Sequence, residues 1–313
     1  MQVIPTIFAV LTITFLLLHL APGDPVLRLI PLHTGVSKEY VDSIRAKMGL
    51  DKPMYIQFVI YLSNLLSGDF GYSTYYRLPV WPVIMAALPR TLLIAGSGLA
   101  LSVIAGIPMG VEAARRTHGK LDYLTTSLSV AGYSIPVFWL GLILMIVFAV
   151  NLHLLPSGGM SSPGITLTGL DEALDVLRHM ILPTIALAAG QVALISRLAR
   201  ASTVEALSEN YVLTARMKGL SDRVITYRHA FRNAILPVVT MIGLQISVLI
   251  SAAVLTEIVF YWPGVGLLLY QSLLARDYPM LMGIFIITSI FVIMSNLLTD
   301  LAYAKLDPRI TYK

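Results

Sequence analysis

The residues able to do chemistry are few, and their spacing argues against catalysis within this chain. There are six histidines and no cysteine among 313 residues. The missing thiols exclude disulfides, thiolate nucleophiles and Cys-ligated zinc or iron–sulfur centres. The histidines show neither H-x-x-x-H nor H-E-x-x-H spacing, so none forms a local metal-binding pair. No cofactor is implied. Gly119-Lys120 lacks the rest of a phosphate-binding loop. Trp262-Pro263-Gly264-Val265-Gly266 has no strand before it, so it reads as a tight turn and not as a dinucleotide fingerprint. His19 and Asp300 fall near opposite ends of apolar segments and make no acid–base set. The chain is not expected to be an enzyme, and any energy it uses comes from a partner or a gradient.

The elements that carry these residues are apolar. Hydrophobic residues make up 57% and charged residues 12% of the chain, whereas a soluble domain carries roughly 25% charged residues. A helix needs about 20 apolar residues to cross a bilayer. Stretches free of Asp, Glu, Lys and Arg predict six spans. They lie at 1–23 (ending near Leu20), 91–111, about 127–150, 179–196, 233–256 and 278–299. The first has no basic leader and too long an apolar run for a signal peptide, so it is expected to be a retained helix. The fold class expected is an all-α polytopic membrane protein.

Six spans put both termini on one side, and the basic residues choose the side. Arg115, Arg116 and Lys120 lie between spans two and three. Arg197, Arg200, Arg216, Lys218, Arg223, Arg228 and Arg232 lie between four and five, and Lys305, Arg309 and Lys313 in the tail. The short connections on the other side carry only Arg178 and Arg276. The topology expected is N-in and C-in. The net charge of +5 then reflects contact with anionic headgroups of a cell membrane and not nucleic acid. Ionisable residues cluster at span ends: Glu112, Glu257 and Asp300 are expected to be structural or interfacial. No charged relay crosses the midplane, which disfavours a proton-coupled carrier.

Three domains are expected: a first transmembrane helix at 1–22, an external cap region at 23–90, and a core of five spans at 91–313. In the cap, helical stretches are expected at 36–48 and 54–66. The 151–178 connection reads as a loop followed by a short helix. The 197–233 connection reads as helix over 199–218, a stop at Gly219, and a second helix over 223–233 capped by Ser221 or Asp222. Such an elbow fits a basic hairpin on lipid or a docking element equally well. Gly106 and Gly110 have the spacing of a close helix–helix contact. Gln191, Gln245 and Ser247 lie within spans four and five. They could line a solute path or form interhelical hydrogen bonds.

Glu205 to Pro237 resembles the cytoplasmic EAA loop of ABC importer permeases, in the dipeptide, oligopeptide and nickel form. The matching positions are Tyr211, Ala215, Arg216, Lys218, Gly219, His229, Arg232, Asn233 and Pro237. The general motif has a Glu six residues before its Gly, where this chain has Leu213. The resemblance extends along the chain. It includes Leu18 to Pro25, Met48 to Pro53, Gly68-Asp69-Phe70-Gly71, Thr256 to Phe260 with Trp262 to Gly266, Arg276 to Pro279, and Leu306 to Ile310.

The resemblance implies a type I permease fold with an external cap between helices one and two. It implies one half of a translocation pathway for peptides or another small solute such as a nickel chelate. The partners it implies are a second homologous permease, two cytoplasmic ATPase subunits and an external solute-binding protein. It assigns ATPase coupling to Tyr211, Ala215, Arg216, Lys218, Gly219, Leu220, Ser221 and Asp222. Gly219 is expected to permit close backbone approach.

Overall fold

The computed structural model describes residues 3–20, 42 and 51–306. The stretch expected as helix at 36–48 lies outside the described residues, apart from Asp42. The chain is mostly helical. Helix α1 spans Val3–Leu20 and α2 spans Met54–Leu66. A two-residue ribbon pairs β1 (Tyr72–Ser73) with β2 (Leu78–Pro79), antiparallel. Then follow α3 (Val80–Arg115), α4 (Lys120–Ser134), α5 (Val137–Leu144), α6 (Leu170–Leu207) and α7 (Asn210–Met217). Helices α8 (Phe231–Val259), α9 (Val265–Ala275) and α10 (Tyr278–Leu306) complete the order.

Among the described residues, three helical segments are long and apolar enough to cross a bilayer: Val80–Arg115, Leu170–Leu207 and Tyr278–Thr299. Two bent pairs bring the number to five if each is one span. At 1.5 Å per residue, the 36 residues of α3 reach about 54 Å and outrun a core of about 30 Å.

The structure corrects three expectations. The segment at 127–150 is not straight, because Lys120–Ser134 and Val137–Asn151 meet at 100°. Pro136 is the cause. It drives the residue before it out of the helical region, and Ile135 sits at φ −86°, ψ 123°. Residues 171–178 do not form a separate short helix; they are the first turns of α6. Asp171 and Glu172 there complement the dipole at its start. The helix expected at 199–218 is broken after Leu207, as described below.

The chain divides into two compact units, Met1–Leu88 with Leu268–Ile293, and Pro89–Leu267 with Met294–Lys313. In the first, Phe58 of α2 meets the ring edges of Phe8 and Phe15 of α1, at centroid distances of 6.0 and 5.1 Å. Asp277 is fully buried. It accepts a hydrogen bond from the Ser73 hydroxyl and others from the backbone N–H of Tyr75 (3.2 Å) and Met280 (3.4 Å). One carboxylate therefore fixes the ribbon to the start of α10 and caps that helix.

The second unit is built around α6, which packs against α4, α5 and α8. Gly106 and Gly110 of α3 also face α6. A Cβ at Gly106 would stand 3.1 Å from Ile195, and one at Gly110 would collide with the Ser196 carbonyl and Ala199. The small-residue spacing thus serves packing within this chain. Short polar side chains also join the helices: Ser129 with Ser196 at 2.8 Å, and Ser97 with Thr184 at 2.8 Å. In an apolar surround such pairs satisfy groups that are costly to bury alone.

Candidate functional site

The elbow between α6 and α8 begins where α6 stops. Ser208 turns its hydroxyl back onto the Glu205 carbonyl at 2.6 Å, and Glu209 is extended at φ −73°, ψ 150°. A serine side chain bonding the local backbone competes with the helical ladder. Helix α7 then runs for eight residues, Asn210–Met217. Its inner face carries Val212 and Ala215, both buried against Ile225 and packed by Leu207.

The far end of α7 is closed by Gly219. Its φ is +73°, its N–H donates to the Arg216 carbonyl at 2.9 Å, and the Leu220 N–H donates to the Ala215 carbonyl at 3.3 Å. This pair of bonds is a Schellman closure, which needs a left-handed residue after the helix. Nothing lies within 4 Å of where a Gly219 Cβ would be. Within this chain, then, the glycine is required by its φ and not by crowding. Ser221 is extended, and its carbonyl accepts from the Ile225 N–H at 3.0 Å. Its side chain makes no capping bond. Asp222–Val224 starts a helical run that passes through a π-helical stretch, Ile225–Ala230, into α8.

The structure places seven of the eight expected coupling residues on the outside: Tyr211, Arg216, Lys218, Gly219, Leu220, Ser221 and Asp222 are exposed. Ala215 is not, since it faces Ile225. Arg216 and Lys218 form no ion pair among the described residues. Beside them stand two exposed apolar side chains, Leu213 and Met217, the latter 82% exposed. The surface is cationic and apolar at once.

Further contacts anchor the elbow. Ala206, Ala230 and Ala234 pack together at its base. Arg200 grips Asp122 through Nε at 2.5 Å and Nη2 at 2.8 Å. Asp122 also accepts the His118 N–H at 2.9 Å. Glu112 pairs with Arg115 and with Arg116 (3.0 Å), and the Tyr227 hydroxyl reaches it at 3.5 Å. The Glu112 pairing follows from helical spacing. The Asp122–Arg200 pair spans 78 positions, and nothing local announces it.

No hydrogen bond joins the intramembrane candidates to one another among the described residues. Gln191 accepts a long hydrogen bond from Ser102 at 3.4 Å. Gln245 is partly buried on α8, and no hydrogen bond joins it to Gln191 among the described residues. The Ser247 side chain lies outside the described residues. At the other end of α8, Glu257 is fully buried. It accepts the N–H of Gly266 at 2.7 Å and of Leu267 at 3.2 Å.

Residues 106–312 match the family model described as binding-protein-dependent transport system inner membrane component, and residues 1–95 match its N-terminal companion. The chain belongs to this family. It is a multi-pass membrane permease subunit of an ABC importer. The permease is 38% identical to the dipeptide transport system permease protein DppB of Escherichia coli strain K12, covering 99% of this chain and 96% of that one. It is 38% identical to the oligopeptide transport system permease protein AppB of Bacillus subtilis strain 168, with the same coverage. It is 39% identical to the glutathione transport system permease protein GsiC of Escherichia coli strain K12, again over 99% and 96%. A solved structure of the MetNI methionine ABC transporter in an inward-facing conformation matches with a TM-score of 0.58 at 16% identity. The match covers 72% of the permease and 96% of that chain. That likeness shows the fold alone. The family works with an ATPase and a solute-binding protein.

Proposed function

We propose that the permease forms half of a translocation pathway for di- or oligopeptides, and that the surface around α7 is the seat of an ATPase subunit. The single observation behind this reading is the exposed α7 face. It is short, rigidly closed by Gly219, and anchored by buried Val212, Ala215 and Ile225 to the helices on either side. A force applied at Arg216, Lys218 or Met217 passes into α6 and α8 with little slack. Six spans with both termini in the cytoplasm put this elbow on the ATPase side, in keeping with the basic residues around it. The 18-residue apolar α1 supplies the sixth span beside the five helices or bent pairs.

The complete machine has a second homologous permease, two ATPases and an external binding protein. The peptide assignment draws on the dipeptide, oligopeptide and glutathione transport named for the relatives. A nickel chelate is the alternative cargo. The test compares the wild-type complex with Arg216→Glu, which reverses an exposed charge and leaves the α7 core intact. Loss of ATPase co-purification and of peptide uptake is expected. Unchanged assembly and uptake would refute the docking assignment.

A further inference from the structure

A second basic feature lies away from the elbow. A cavity of about 500 Å³ opens in the second unit between α4 and α6, lined by Thr126, Tyr133, Leu194, Arg197, Arg200 and Ala201. The helical repeat explains the lining. Positions 126 and 133 lie two turns apart on α4, and 194, 197 and 201 follow one face of α6. Arg197 is the first charged residue after the uncharged run 179–196. It is exposed and meets no carboxylate among the described residues. Arg200 differs: its charge is balanced by Asp122, through Nε and Nη2. The other terminal nitrogen takes no part in that pair. The cavity therefore carries one net positive charge, on Arg197, together with two hydroxyls and a spare guanidinium N–H as donors.

The apolar surroundings point to the ligand. Val130, one turn past Thr126 on the same face of α4, is exposed, and Leu194 lines the cavity itself. A cationic hollow at the end of an apolar run, with aliphatic side chains at its edge, suits a phosphate whose own chains are apolar. We infer that the cavity between α4 and α6 holds the phosphodiester of an anionic phospholipid, with Arg197 as its principal ligand and Thr126 and Tyr133 as hydroxyl donors. A monoanionic headgroup matches the single uncompensated charge, and guanidinium is the side chain best shaped for phosphate oxygens. The inference rests on the bilayer reading of α4 and α6, but not on the cargo or on ATPase docking at α7. Either of those can fail alone.

The experiment uses the full chain, purified with its transport partners and reconstituted in nanodiscs of equal parts phosphatidylcholine and phosphatidylglycerol. Native mass spectrometry then counts the lipids retained after release into detergent. Phosphatidylglycerol should be retained in preference to phosphatidylcholine. Arg197→Gln should lower that preference about fivefold, the effect of one basic residue near an anionic headgroup. Arg197→Lys should keep most of it, and Tyr133→Phe should lose part. Arg116→Gln removes the same charge outside the cavity, from a guanidinium already paired with Glu112, so its effect on the preference should be much smaller than that of Arg197→Gln. An unaltered preference in Arg197→Gln would overturn the proposal. So would full displacement of the lipid by millimolar inorganic phosphate, which would mark a site for a soluble oxyanion. Loss of the second permease from the Arg197→Gln complex would overturn it too, by making the cavity a subunit interface.

Discussion

Glu257 shows how a single carboxylate organises a turn. A Cβ added at Gly264 would run into it, and one at Gly266 would come within 3.0 Å of its Oε2. The two glycines make room for a side chain that receives two backbone N–H groups from nine and ten residues ahead. Glu257→Ala would strand both donors, and a buried unsatisfied polar group costs about 1–3 kcal/mol. Thermal unfolding of the full chain in detergent should therefore fall clearly for Glu257→Ala, and much less for Glu112→Ala, whose carboxylate is partly solvated. Gly219 supports a second residue-level prediction. Ala at φ +73° costs about 1–2 kcal/mol. Gly219→Ala should thus lower the melting temperature modestly, and equal stability would contradict the Schellman closure. The left-handed glycine was legible in the sequence, because a stop is needed between two helical patterns. The partners of Glu257 were not. They lie across a turn, and span-end position alone suggested a structural or interfacial group without saying which backbone groups it would bind.

At the scale of elements, charge-free runs located most of the long helices, and an amphipathic stretch located α2 at its observed bounds, 54–66. The breaks were harder. The bend after α4 is written in Pro136, yet an uncharged run through 127–150 looks continuous when only charge is counted. The break between α6 and α7 has no Pro or Gly; Ser208 and the extended Glu209 make it. Such a break depends on where Val212 and Ala215 must pack, and that is tertiary information. The Pro136 bend can be tested directly. The chain has no cysteine, so paired cysteines at the exposed positions Leu124 and Val147 accept spin labels cleanly. Pro136→Ala should lengthen the measured separation as the 100° bend relaxes. An unchanged separation would mean that packing against α6, and not Pro136, sets the bend.

At the scale of the whole molecule, composition and basic-residue placement carry the membrane reading. They work because burying charge in hydrocarbon is costly whatever the tertiary fold. What they leave out is partner-specific. The Ala215 position matched its motif, but its side chain turns inward and supports α7 from beneath. The topology makes its own prediction. A cysteine at Tyr75, which is 58% exposed, should react with a membrane-impermeant maleimide in intact cells, and a cysteine at Thr117, exposed between α3 and α4, should react only after permeabilisation. The reverse pattern would invert the molecule.

We propose that the permease meets its ATPase on the outer face of α7. Met217 and Ala215 lie on opposite faces of that helix, 82% and 6% exposed. The most direct measurement is maleimide labelling of a Met217→Cys permease, with and without the ATPase subunits, under conditions where peptide uptake is preserved. Docking at α7 predicts rapid labelling of the permease alone and strong protection in the assembled complex. Labelling at the same rate in both states, with uptake intact, would contradict it.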